Sequence, residues 1–190
     1  MRARDARFLW PQSWSLGSCG NRSDPHLRIP ENETGEKEPS HIQSLVVGLN
    51  PGVNELSERR YFVGPAGRVL ASKRYAALWE KCPANETLVT NIVKIGTADA
   101  VELKSLGVDA LRLCVAGCFT AELEALPKLK YVYVLGVDAA RLFRQLVWPH
   151  LNASLSVYAL RHPSHTSAVS NLDEMLRRGL DDPFLRQGRS

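Results

Sequence analysis

From residue 44 onward, short apolar runs alternate with longer stretches whose apolar residues recur at helical spacing. Four runs predict strands: 45–49, 87–90, 130–135 and 155–160. Between them, Leu70, Tyr75, Leu78 and Trp79 give 67–81 one apolar face, and Pro83 stops that helix. Leu111, Val115, Cys118, Leu123 and Leu126 do the same for 108–126, with Pro127 just beyond. A third helix runs from Gly136 through Phe143 to Val147, and a fourth covers 167–178 with Gly179 as its C-cap. The run Tyr131-Val132-Tyr133-Val134-Leu135 is apolar at every position, as a central strand covered on both faces must be. Four β-α repeats predict a three-layer α/β/α fold around a four-stranded parallel sheet.

Residues 1–40 lack this pattern. Arg2, Arg4 and Arg7, scattered prolines and the polar run 31–38 predict a flexible N-terminal tail ahead of a domain at 41–190. No apolar run approaches the roughly 20 residues of a membrane span, so no membrane partner is expected. A formal charge of +4 suits a polyanionic partner without requiring one. Cys19, Cys82, Cys114 and Cys118 include no C-x-x-C pair. They are expected to be structural thiols in a reducing compartment, with no metal and no cofactor.

Parallel strands bring their C-terminal loops to one rim, where open α/β sheets bind ligands. That rim carries Asn50 in the turn Gly48-Leu49-Asn50-Pro51-Gly52, then Asn91, Gly136 and His162, with Phe62 in the loop after the first strand. Two amides, an imidazole and a phenyl ring suit a planar ligand with alternating donors and acceptors, such as a nucleobase. No phosphate-binding lysine loop, nucleophile elbow or dinucleotide fingerprint is present.

Gly48-Leu49-Asn50-Pro51-Gly52 and His162-Pro163-Ser164 resemble the two signature motifs of the uracil-DNA glycosylase superfamily. The segment 61–67 resembles the base-stacking loop of its thermostable iron–sulfur branch, and Thr90-Asn91-Ile92-Val93-Lys94 its base-reading segment. The resemblance spans about residues 44–178 and implies a uracil-DNA glycosylase-like fold acting on DNA. It casts Asn50 as the residue that positions the attacking water and His162 as the donor to the departing base. Phe62 would stack on the base, Asn91 would read its edge, and Gly48, Leu49 and Gly52 would line the pocket. Ser164, His165, Arg161 and Lys94, with Arg59 and Arg60, would contact the DNA backbone.

The chain departs from that pattern in three places. Gly52 stands where the most uracil-selective branch has a tyrosine, which leaves room for 5-substituted uracils. Ile95 stands where a cluster cysteine is expected. His165-Thr166 replaces the leucine wedge, which favours single strands or weak base flipping in duplexes. The expected activity is hydrolysis of uracil or a related deaminated base from DNA, by a monomer. Its compartment would be the nucleoid of a bacterium or the nucleus or an organelle of a eukaryote. The alternative is a non-catalytic binder of a modified base or nucleotide in the same pocket, because an amide at Asn50 cannot act as a base. An unrelated flavodoxin-like nucleotide binder is a third reading.

Overall fold

The computed structural model describes residues 7–8, 39–58, 61–97, 100–151, 154–165 and 172–181. Its centre is a parallel sheet of four strands in the order β3-β2-β5-β6: β2 (Ser44–Gly48), β3 (Thr87–Asn91), β5 (Tyr131–Leu135) and β6 (Ser156–Leu160). All three pairings are parallel and lack slips: Gly48 faces Asn91, Val47 faces Val134, and Leu135 faces Leu160. The first strand of this sheet in sequence, β2, is thus an inner strand, and the two signature turns leave strands separated only by β5.

Strand alternation splits the core in two. Leu45, Val47, Val132, Val134 and Val157 face one way. They pack against α4 (Ala100–Ser105), α5 (Val108–Cys114), α6 (Thr120–Glu124) and α7 (Val137–Leu146) through residues such as Leu103, Leu111 and Phe143. Val46, Tyr133, Leu135 and Leu160 face the other way. They meet α2 (Pro65–Leu70), α3 (Ala76–Lys81) and α8 (Leu172–Asp181) through Leu70, Leu78 and Leu176. Each face of the sheet is covered, which gives the expected three layers. Such double burial explains why Tyr131–Leu135 reads as a continuous apolar run.

Several boundaries differ from the sequence expectation. The helix expected over 67–81 is two helices, α2 and α3, joined by a 3-10 turn at Lys73–Tyr75 that the Ser72 side chain caps. The long helix expected over 108–126 carries a π-helical turn at Val115–Phe119, closed by the Thr120 N–H on the Val115 carbonyl. That wider turn sits where Cys114, Val115, Cys118 and Phe119 are all buried. Gly179 is not a C-cap; it lies inside α8. A Cβ there would stand 3.2 Å from Leu160 Cδ2, so the glycine lets α8 press on β6. Cys82 and Cys114 are free and buried, but Cys118 is disulfide-bonded, against the expectation of structural thiols alone.

The expected tail falls largely outside the described residues, except for β1 (Arg7–Phe8), which pairs antiparallel with β4 (Ile95–Gly96). The first residues of the expected 167–178 helix also lie outside them. No helix among the described residues is long and apolar enough to cross a membrane.

Candidate active site

Asn50 follows β2 by two residues, and its amide is already committed on one side. Asn50 Nδ2 donates to Thr97 Oγ1 at 2.8 Å and to the Pro51 carbonyl at 3.2 Å. Its Oδ1 is therefore the end left to accept. The turn around it is tied down by backbone bonds: Ile92 N–H to the Gly48 carbonyl at 3.0 Å, Val93 N–H to Leu49 at 2.9 Å and Thr97 N–H to Pro51 at 3.2 Å. Leu49 is half-buried, and its side chain packs on the core.

Next to it, β3 ends in Asn91, which is 2% exposed. Among the described residues, Asn91 Nδ2 is the one buried side-chain nitrogen or oxygen without a hydrogen-bond partner. Leaving a buried amide donor unmet costs about 1–3 kcal/mol, so its persistence points to a partner that arrives from outside. Phe62 converges on the same spot. A Cβ on Gly48 would lie 2.2 Å from Asn91 Oδ1 and 2.7 Å from Phe62 Cζ. Glycine is thus required at residue 48 for the amide and the ring to meet over the strand end.

Phe62 is held in an unusual backbone state, with φ at 56°. The left-handed region costs a bulky residue about 1–3 kcal/mol and is kept only where its surroundings dictate it. Two contacts dictate it here. The Phe62 N–H donates to Glu55 Oε1 on α1 (Val53–Glu58). The Phe62 carbonyl fills the space where a side chain on Gly67 would begin, 1.4 Å from that Cβ position.

Across the rim, β6 leads into His162 and a 3-10 turn at Pro163–His165. His162 lies against Gly136 at the end of β5; a Cβ there would be 3.0 Å from His162 Cβ. Gly136 also has φ at 98°, which favours glycine. Two strand spacings of about 4.8 Å separate the β2 and β6 ends. The glycine between them places no side chain in that space. The far side is closed by α2, which follows Phe62 in sequence and packs against the Pro163–His165 turn. The Tyr75 hydroxyl fixes that corner by donating to the Arg161 carbonyl at 2.8 Å.

The ring of His162 has a defined proton. The Ser164 N–H donates to Nδ1 at 3.3 Å, and Ser164 Oγ stands 2.8 Å from the same nitrogen. Nδ1 is therefore the acceptor, and the neutral ring carries its proton on Nε2. Burial, and then the neighbouring His165, push the His162 pKa below its usual value, which favours that neutral form.

Not every expected contact residue lies where the expectation put it. Arg161, Ser164 and His165 are exposed at the rim. The Ser164 hydroxyl, expected on a phosphate, is engaged with His162. Gly52 is half-buried, and only Glu55 Oε2, at 3.7 Å, comes near its Cβ position, so space remains beside it. Lys94 is a correction. It is 5% exposed, with Nζ 2.6 Å from Glu122 Oε2, and it lies over the rings of Tyr61 and Phe119. Burial opposes its charge, but Glu122 and then Tyr61 outweigh it, so the ammonium stays charged inside the protein. It joins Tyr61, next to Phe62 in sequence, to Thr90, next to Asn91, and does not present its charge to a DNA backbone. Arg59, Arg60 and Thr166 lie outside the described residues.

Thr97 and Glu55 were not among the expected site residues. Glu55 had a signal in its spacing of three residues after Gly52, but residues 53–60 read as a polar loop in the sequence and the helix Val53–Glu58 shows only in the structure. Thr97 had none, since only the fold carries its hydroxyl to Asn50.

A model of the Uracil DNA glycosylase superfamily matches residues 35–182. The chain belongs to the uracil DNA glycosylase superfamily. Members are glycosylases that act on DNA, and the parallel sheet with both faces covered agrees with that fold. A search of curated proteins found no match to the chain.

The four-cysteine cluster of the superfamily's iron–sulfur branch does not fit the residues present. Cys82 sits in the other core layer against Tyr133 and Ser44, Cys118 is disulfide-bonded, and Ile95 stands where the resemblance to that branch expects a cysteine. Among the described residues, no three His, Cys, Asp or Glu side chains are grouped to hold a metal ion.

Proposed function

We propose that this member of the uracil DNA glycosylase superfamily hydrolyses the N-glycosidic bond of uracil, or of a closely related deaminated base, in DNA. The observation that carries the reading is the unpartnered, buried Asn91 Nδ2 beside the Phe62 ring. A donor there requires an acceptor on the ligand. Uracil O4 provides one, whereas cytosine places an amino group at that position and would leave two donors facing each other. Selection for the deaminated base thus follows from a single amide.

The target nucleotide is extruded from its stack before it reaches the slot. Phe62 then offers a face to the base, and stacking on an aromatic ring is worth about 1–3 kcal/mol. Asn50 Oδ1, freed for acceptance because Nδ2 is on Thr97, holds a water for attack on C1′ of the deoxyribose. The water oxygen bonds to C1′ as the C1′–N1 bond breaks. The bonding pair leaves with uracil as an anion, and the displaced water proton passes to solvent. His162 Nε2–H donates to O2 of the departing anion. One such preorganised donor contributes about 10²–10³ in rate. A protonated His162 is not needed, in keeping with its lowered pKa.

A non-catalytic base binder remains the second reading, favoured by one feature: an amide at Asn50 cannot remove a proton. A labelled single-stranded oligonucleotide with one uracil separates the two. For an enzyme, alkali cleaves the strand after incubation with wild type, and the breaks fall at least about 100-fold in His162→Ala and fall strongly in Asn50→Ala. Retarded mobility without breaks in wild type would instead assign the binder.

A further inference from the structure

One carboxylate of the site has no part in the chemistry just described. Glu55 is half-buried on α1, and each of its oxygens receives a backbone N–H from a different loop. Oε2 accepts from Gly52 at 2.7 Å, and Oε1 accepts from Phe62. The first bond has an ordinary explanation. A glutamate three residues into a helix commonly reaches back to the residue before it and helps start the helix. The second bond does not serve the helix, because Phe62 lies beyond it in the next loop. One carboxylate therefore spans the turn that carries Asn50 and the residue that carries the ring.

The strain at Phe62 gives this bridge its consequence. A phenylalanine at φ 56° drifts to an extended or helical conformation unless held, and either change swings the ring away from Gly48 and Asn91. Gly67 permits the Phe62 carbonyl to approach, but an absent side chain does not pull. Glu55 is the group that does. No other side chain of similar length can substitute. A glutamine has one accepting oxygen, and its NH2 would face a second N–H donor.

We propose that Glu55 is a positioning residue: by holding the Asn50 turn and the Phe62 backbone on one carboxylate, it sets the stacking ring over the base slot. This inference rests on the stacking role given to Phe62 above.

A double-mutant cycle tests it with wild type, Glu55→Gln, Phe62→Ala and the double variant. Two quantities are read: the single-turnover rate of uracil excision at saturating enzyme, and the Tm. Phe62→Ala is expected to slow excision about ten-fold or more. Glu55→Gln should slow it about five-fold in the wild-type background but less than about two-fold once the ring is gone. Its effect on Tm, which reflects the helix start, should be the same in both backgrounds. Equal slowing in both backgrounds would overturn the proposal and leave the stacking reading intact. A Phe62→Ala variant as fast as wild type would refute the stacking reading, and this inference with it.

A second measurement needs neither a variant nor activity. Burial pushes the Glu55 carboxyl above its usual pKa, against the pull of the Gly52 and Phe62 N–H groups. In wild type, the amide proton resonances of Gly52 and Phe62 should titrate together with one shared midpoint, raised from the usual glutamate value. Separate midpoints, or one amide that does not move, would overturn the bridge.

Discussion

The two sides of the slot are built differently. On the β2–β3 side, Asn91, Thr97 and Lys94 are buried, the Asn50 turn is pinned by backbone bonds, and the Phe62 loop is anchored to Glu55. On the β6 side, His162 stands at the head of an exposed turn, with the Ser164 hydroxyl and N–H as its side-chain and backbone anchors. On the function proposed above, base recognition would fall to the buried side, and the donor to the departing base would stand at the rim. Substitutions on the first side should therefore cost folding as well as activity, and those on the second side chiefly activity.

The largest expected effect breaks the buried side. Lys94→Met strands the Glu122 carboxylate, and removing one partner of a buried ion pair costs about 3–5 kcal/mol. Urea unfolding measures it. The double variant Lys94→Met/Glu122→Leu should recover most of that loss, because no lone charge remains. If Lys94→Met were as stable as wild type, the buried side would not be the rigid half.

A smaller effect sharpens the rim side. Ser164→Ala removes the hydroxyl on His162 Nδ1 and leaves the N–H. A neutral hydrogen bond is worth about 1 kcal/mol, or roughly a five-fold slower excision. The Tm should fall by no more than a few degrees. A drop in Tm without a change in rate would show that Ser164 supports the turn and not the tautomer.

The smallest effect is on pH. The folded-state pKa of His162 is lowered, so the folded protein binds fewer protons than the unfolded chain between that value and the usual 6.5. Stability from this residue is complete above 6.5 and falls as the pH drops through that window. The acid limb of excision should lie below pH 6.5 for the same reason, because His162 loses its neutral form only there. His165→Ala removes the second cause of the shift and should move both the limb and the His162 ring-proton titration upward. An unmoved limb would separate His165 from His162.

Much of this architecture was legible in the chain. The continuous apolar run 131–135 predicted a doubly covered strand, and residues 132–135 are buried between both layers, with Tyr131 exposed at the strand's start. The Pro-containing turns at Asn50 and His162 and the strand end at Asn91 placed these three residues on one rim, because parallel strands share the direction of their ends. Breaks inside helices were not legible. The π-turn at Val115–Phe119 and the glycine inside α8 answer to packing against partners distant in sequence. Lys94 misled for a related reason: a lysine at a strand end reads as surface charge until a carboxylate 28 residues away is seen beside it.

The sequence by itself determined the four strands of the central sheet, their shared direction and the side chains delivered to its edge, because local patterning and the handedness of β-α connections leave few alternatives. Only the tertiary structure decided how those side chains are held. The acceptor on Asn50, the proton on His162 Nε2, the strained backbone of Phe62 and the unmet donor of Asn91 each depend on a partner far along the chain, or on the lack of one. Hydrogen-bond partners act over about 3 Å of space, and no pattern of neighbours in sequence encodes them.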